Sequence, residues 1–231
     1  MKKLSLLALL LLIISCGKDS DSNFTLKGNV KGLKKGTVYL QKVKDSVFET
    51  IDSLVINGNP EFELHTNLES PEVLFLKLHK NDNVEHVISF FADKGVTEFN
   101  TSLKNFEMDA KIKGSKQQEK LEEYLLMMSR YNNKNLDIIK DNLDAQKDND
   151  TIKLNKSLKQ YQGIIKSKYL YTINFAINNK DSEVAPYLAL SEIYDANVKY
   201  LDTINNQLTP EVKASKYGKQ LQDYINKRKA Q

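Results

Sequence analysis

The spacing of apolar residues changes once along this chain, at Gly114-Ser115, and that change restricts the fold more than any other feature. Before it, apolar and polar residues alternate in short runs separated by Gly, Asn, Asp and Pro, the period of strands with one dry face. After it, apolar residues recur every three to four positions, the period of amphipathic helices. Parallel βαβ units are not expected, because no helical segment interrupts the strand-like part. The spacing predicts an α+β chain: an N-terminal antiparallel β-sandwich or partly open barrel of about seven to eight strands over 24–114, then a helical domain of about four to five helices over 115–231.

Within the first part, Phe24-Leu26-Val30 opens the series and Val38 to Val43 follows a Lys34-Lys35-Gly36 turn. Val47 to Ile56 leads into Asn57-Gly58-Asn59-Pro60, where Asn-Gly suits the positive φ of a tight hairpin. Phe62, Leu64 and Thr66 alternate against Glu61, Glu63 and His65. Leu74-Leu76-Leu78 and Val87 to Phe91 flank a turn at Asn81-Asp82, Val96 to Thr101 follows, and Phe106-Met108-Ala110-Ile112 reads as the last strand. In the second part, Ser115 and Gln118 fit a capping box. A stripe of Leu121, Leu125 and Met128 follows, which Asn132-Asn133 is placed to loosen. A second helix is expected from Ile152 to Asn178, a third from Ser182 and Pro186, a fourth over Asn197 to Leu208, and a last one punctuated by Gly218 after the Thr209-Pro210 start.

The N-terminus predicts an address. Met1-Lys2-Lys3 is basic, Leu4 to Ile14 is apolar apart from Ser5, and Ser15-Cys16 supplies small residues at a cleavage point, the layout of a secretory signal over 1–15. The apolar run of about 11 residues is well short of the roughly 20 that span a bilayer as a helix. Ile13-Ile14-Ser15-Cys16 resembles the lipobox of bacterial lipoproteins, in which cleavage precedes the cysteine. The resemblance implies that Cys16 carries a diacylglycerol and an N-acyl chain, the only prosthetic group expected, and anchors the protein to a membrane. Because one acyl chain alone binds only marginally, several on one residue matter. Residues 16–23 are polar after the cysteine and read as a flexible tether. The Lys18-Asp19 pair followed by Asp21 resembles the export signal of some Bacteroidota surface lipoproteins, which implies the outer membrane; a plain solvated spacer fits equally.

Loss of Lys2 and Lys3 takes the formal balance from +4 to +2, which argues against a nucleic-acid partner. Cys16 is the only cysteine, so once acylated it leaves no thiol for disulfides or cysteine catalysis.

Several stretches together resemble a known group. FTLKGNVKGLKKGTVYLQ, FFADKGVTEF, KIKGS, SEVAPYLAL and LTPEVKASKYGKQLQDYI are similar to segments of envelope lipoproteins bearing the domain of unknown function 4369. In that group the module commonly precedes an AhpC/TSA thioredoxin-like domain, with its Cys-x-x-Cys pair. Here the sequence ends at Gln231 without that pair, so the resemblance implies architecture and address and carries no redox residue over.

Catalytic and metal sites are not expected. His79 and His86 would share a face of their hairpin if Asn81-Asp82 were a two-residue turn, with His86 opposite Lys77, and no third ligand accompanies them. Both are expected to be exposed. Glu61, Glu63, Glu107 and Asp109 occupy alternate strand positions, where a solvated face is the ordinary outcome, although paired carboxylates serve acid and base chemistry elsewhere. Tyr161, Tyr169, Tyr171, Tyr187, Tyr194 and Tyr200 could line a groove or fill a core edge; the helical stripe favours the core. The expected function is a lipid-anchored, non-catalytic binding or interaction module of the cell envelope. The alternative is an accessory to thiol-disulfide chemistry supplied by a separate thioredoxin-like protein.

Overall fold

The structure, a computed structural model, describes residues 22–80 and 84–230. The expected signal, Cys16 and residues 17–21 of the expected tether lie outside the described residues, as do residues 81–83, where a turn is expected. Among the described residues, eight strands form two four-stranded sheets and six helices follow, an α+β arrangement in which neither sheet closes into a barrel. The strands are β1 (Phe24–Lys31), β2 (Lys35–Lys44), β3 (Val47–Asn57), β4 (Glu61–Thr66), β5 (Glu72–His79), β6 (His86–Ala92), β7 (Gly95–Ser102) and β8 (Lys111–Lys113). The helices are α1 (Lys116–Lys147), α2 (Thr151–Asn178), α3 (Val184–Ser191), α4 (Val198–Gln207), α5 (Pro210–Ala214) and α6 (Lys216–Lys229).

One sheet runs β4-β1-β7-β8 and the other β3-β2-β5-β6. All pairings are antiparallel except β1 with β7, which is parallel and brings Phe24 beside Gly95. The alternation puts Phe24, Leu26, Phe62, Leu64 and Phe99 of the first sheet against Leu40, Leu74, Leu76 and Phe90 of the second, in one buried cluster. Such face-to-face burial is what an alternating pattern is for. Gly28, half-buried, lies under Phe62, its cross-strand partner. A Cβ at Gly28 would lie 2.0 Å from the end of that ring, so the glycine gives the aromatic side chain its place.

Several turns differ from expectation. Asn57 to Pro60 does not close a hairpin; it carries the chain from one sheet to the other, with Gly58 at φ +96 and its N–H donating to the Lys34 carbonyl at 2.8 Å. The tight hairpin lies instead at Asp45-Ser46, both at positive φ (50 and 65), which joins Lys44 to Val47. Residues 103–109 are turns rather than strand. The Thr101 hydroxyl donates to the Phe106 carbonyl at 2.6 Å and the Asp109 N–H to the Asn105 carbonyl at 2.9 Å, curling the segment so that Phe106 is buried while Met108 is exposed. The β5–β6 register pairs Leu78 with His86 and Lys77 with Val87, one residue away from a two-residue turn at Asn81-Asp82. A shift of one reverses the face of every side chain. His86 consequently turns toward the interior, its ring 5.5 Å from that of Phe106, and only His79 is exposed. Asn23 ends the expected tether early: its carboxamide donates to the Leu68 carbonyl and accepts from the Leu68 N–H.

Odd-numbered residues of β5 and β6 point away from the sandwich, and the helices cover Val73 and Phe91 at one end of that face, while His79 and Ser89 are exposed. Val73 and Phe91 join Tyr124, Met128, Phe175, Val184, Leu188 and Tyr217 in a second buried cluster. Phe91 meets the rings of Tyr187 and Tyr217 edge-on at 5.5 and 5.8 Å. Two strand N–H groups left over by the sheet are taken by helical side chains: Phe91 N–H donates to Gln118 Oε1 at 2.8 Å, and Val73 N–H to the Tyr217 hydroxyl at 3.0 Å. Ser115 caps α1 as expected, accepting from Gln118 N–H at 3.0 Å. The Gln118 carboxamide, however, serves the strand edge rather than closing a reciprocal capping box.

The helices number six because Ser215 ends α5 and caps α6 at once. Gly218 lies inside α6 rather than punctuating it; a Cβ there would stand 2.0 Å from the Val212 carbonyl oxygen, so it permits α5 to lie against α6. Asn132-Asn133 do not break α1, which is continuous over 32 residues, and Asn132 accepts from Lys168 Nζ of α2 at 3.1 Å.

Gly28→Ala should force the Phe62 ring out of place and lower stability by about 1–3 kcal/mol, the usual cost of overpacking. Denaturant unfolding checks this, and Gly28→Ala with Phe62→Leu should recover part of the loss.

Candidate ligand groove

On the helical side, α2 and the start of α4 diverge and leave an apolar groove of about 390 Å³, lined by Ile165, Tyr169, Leu170 and Ile173 of α2 and by Ala196, Asn197 and Tyr200 across from it, with Gln162 and Lys166 at the rim. Apolar concavities with a few polar groups at the edge are the ordinary form of small-ligand sites. Asn197 starts α4 by accepting from Lys199 N–H at 3.0 Å, which fixes the direction in which Tyr200 leaves the backbone. The Tyr169 hydroxyl donates to Asp195; that bond to a carboxylate, aided by burial, pushes the phenol up to about 12. Tyr169 is thereby held as a neutral donor with its ring against the groove.

The wall carrying Ala196 is strapped from the C-terminal helix. Arg228 donates to the Tyr194 carbonyl at 2.6 Å and to the Ala196 carbonyl at 3.2 Å, and the Tyr224 hydroxyl reaches the Tyr194 carbonyl at 2.9 Å. Arg228 reaches residues some thirty positions away, a contact that no local sequence pattern signals.

Of the six tyrosines, the structure brings only Tyr169 and Tyr200 to the groove. Tyr171 and Tyr187 pack against the seam cluster, in agreement with the core reading, whereas Tyr161 and Tyr194 are exposed. Of the four carboxylates, Glu61 and Glu63 line one open concavity together with Lys27 and Glu98. Glu61 and Glu63 face out from β4, where Glu63 is 3.7 Å from Lys27 and 3.8 Å from His65, and Asp109 accepts from the Ser102 hydroxyl in the turn below β7. Glu107 is an exposed turn residue rather than an alternating strand position. Among the described residues, no three of His, Cys, Asp and Glu are grouped to hold a metal ion.

A second, more polar cleft lies along the seam, where the starts of α1, α3 and α6 meet the β6–β7 turn. Asp93 Oδ2 accepts from the Ser115 hydroxyl at 3.2 Å and from Gln117 N–H at 3.1 Å. Glu183, only 6% exposed, accepts from the Ser215 hydroxyl at 2.5 Å. Burial pushes the Glu183 carboxyl up, the nearby Asp93 adds to the shift, and the Ser215 bond opposes it. No sequence motif pointed to Glu183, because its burial depends on three helix starts converging.

Residues 24–121 match the sequence model of the family described as Domain of unknown function (DUF4369). The match spans all eight strands and crosses the change of period into α1, so it includes both Phe91 and Gln118. No curated protein matches the chain.

Glu183 gives the fold a pH dependence of definite sign. A carboxyl raised by folding contributes stability that is fully present below its ordinary unfolded range and is lost as pH rises through its own elevated value. Glu183→Gln keeps the acceptor for Ser215 and removes the charge. Its melting temperature should exceed that of the unsubstituted protein at pH 8, with the gap closing toward pH 4; thermal melts across that range test it.

Proposed function

We propose, taking the β-sandwich as a member of the DUF4369 family, that this protein is a lipid-anchored, non-catalytic interaction module of the cell envelope whose ligand is engaged in the groove between α2 and α4. The observation that carries the binding reading is the groove itself. Ile165, Leu170 and Tyr200 stand 40%, 44% and 48% exposed around one concavity, an arrangement that costs solvation unless something apolar occupies it. The neutral Tyr169 hydroxyl, committed to Asp195, leaves the groove floor apolar and suits it to aliphatic or aromatic groups rather than to ions.

The anchor reading rests on Met1 to Cys16 and the polar residues behind it. Three acyl chains on Cys16 would hold the chain at the membrane, since each buried methylene adds about 0.8 kcal/mol. The tether from Cys16 to Ser22 reaches at most roughly 3.3–3.6 Å per residue, so the folded part would work close to the bilayer, at the outer membrane. A thioredoxin-like protein is one candidate occupant of the groove, suggested by the domain order of the lipoproteins this chain resembles.

Two measurements check this. Metabolic labelling with an acyl-chain probe should mark the protein and fail with Cys16→Ala; labelling that survives the substitution contradicts the anchor. A photo-crosslinking amino acid at Tyr200 should capture a discrete envelope component that the same probe at exposed Lys111 does not, and equal yields at both sites contradict the groove as the binding site.

A further inference from the structure

The α1–α2 hairpin carries a pattern that its own packing does not use and that meets the groove only at Ile165 and Lys166. Met128, Ile138 and Ala145 of α1 and Ser157 and Ile164 of α2 are buried, and the Asn142 carboxamide donates to Ser157 Oγ at 2.8 Å across the pair. One residue after three of these contact positions stands an exposed apolar side chain, and one residue later an exposed lysine: Ile138-Ile139-Lys140, Ser157-Leu158-Lys159 and Ile164-Ile165-Lys166. Each step rotates about 100° around a helix. In an antiparallel pair, equal rotations in the same sense from the contact line open to the same side. Ile139, with Leu136 and Leu143 at helical spacing, therefore shares one side of the hairpin with Leu158, Tyr161 and Ile165. These six are 40–63% exposed.

The opposite rotation gives the opposite chemistry. Asp137 and Asp144 precede Ile138 and Ala145, Lys156 precedes Ser157, and the other side of the pair is a polar recess where Asp141 and Asp144 stand near Lys153 and Lys156. All carboxylates of the hairpin's outer half fall on that wet side or at its tip, and α2 contains none at all. The two-helix slab is thus apolar on one side, edged there by Lys140, Lys159 and Lys166.

We infer that this side of the α1–α2 hairpin is a membrane-contact surface that seats on anionic phospholipid. Aliphatic side chains flanked by lysines match the boundary between acyl chains and negatively charged headgroups, into which long lysine stems reach while their ammonium groups stay wet. A second copy of this chain fits less well: a two-fold contact through the same face would set one lysine edge against another. The surface is independent of acylation at Cys16 and depends on the hairpin alone.

The chain has no tryptophan, so one introduced indole reports its own surroundings. The full chain with Cys16→Ser, carrying either Leu158→Trp or Gln160→Trp on the wet side, is mixed with vesicles of phosphatidylcholine and phosphatidylglycerol at about three to one, or of phosphatidylcholine alone. The Leu158→Trp emission should move to the blue with the anionic vesicles and much less with the neutral ones, and Gln160→Trp should not move. Adding Lys140→Gln, Lys159→Gln and Lys166→Gln should weaken the anionic response by roughly a hundredfold, with the circular dichroism spectrum unchanged. An unshifted Leu158→Trp, equal shifts at both positions, or a blue shift that grows with protein concentration without lipid would overturn the inference, the last in favour of self-association.

Discussion

Phe91 has sandwich on one side of its strand and helices on the other, and the rest of the structure depends on how that position is covered. β6 is an edge strand, and an edge whose outward N–H groups stay bare is open to pairing with other chains. Here the edge ends beneath α1: Phe91 is fully buried against Tyr187 and Tyr217, and its N–H is taken by Gln118. Tyr217 does the same for Val73, beyond the point at which β2 stops pairing with β5. Leaving either N–H buried without a partner costs about 1–3 kcal/mol, and each ring pair adds about 0.5–1.5 kcal/mol beyond its burial. The two halves therefore share a core, and α1 and α6 begin on the sheet.

That constraint positions the candidate groove. α2 is held against α1 by Tyr124, whose hydroxyl meets Thr172 at 2.8 Å and whose ring lies 5.4 Å from Phe175. α6 is held by Tyr217, and from its far end Arg228 straps the segment that forms one wall of the groove. The groove is thus built between α2 and the segment leading into α4, which are fastened through α1 and α6 to the same strand pair. The α1–α2 hairpin departs from the same fastening and extends its outer half away from it. Because the family match reaches from β1 into α1, the matched segment contains Val73, Phe91 and Gln118 of the fastening and leaves Tyr187, Tyr217, the groove and most of the hairpin to the remaining residues.

The two halves were legible in the sequence because each kind of element has one wet side, which imprints a period of two or of 3.6. The seam was not, although it left a trace. Val73-Leu74-Phe75 and Phe90-Phe91-Ala92 break the alternation with consecutive apolar residues, as strands covered on both faces do. The register of β5 with β6 differs by one residue from the one that a two-residue turn at Asn81-Asp82 would set, and that offset alone moves His86 to the other face. The strand expected through Phe106 failed for a related reason: Ser102, Asn105 and Asp109 side chains and backbone close local turns that compete with pairing. In the site, Tyr169 and Tyr200 could be named but not separated from Tyr171 and Tyr187, since all lie on helices with more than one covered face. Glu183, Asp195 and Arg228 act through partners distant in sequence, and no spacing rule reaches them.

The central claim, that sandwich and helices are one cooperative unit fastened at Phe91 and Val73, is tested most directly by native-state hydrogen exchange of the double variant Gln118→Ala, Tyr217→Phe, followed by mass spectrometry through a denaturant series. If the shared core governs both halves, peptides from β5–β6 and from α1, α3 and α6 will lose protection together, at a denaturant concentration lower than in the unsubstituted protein. Helical peptides that open well before an unaltered sandwich would contradict it, because the halves would then be separate domains that merely touch.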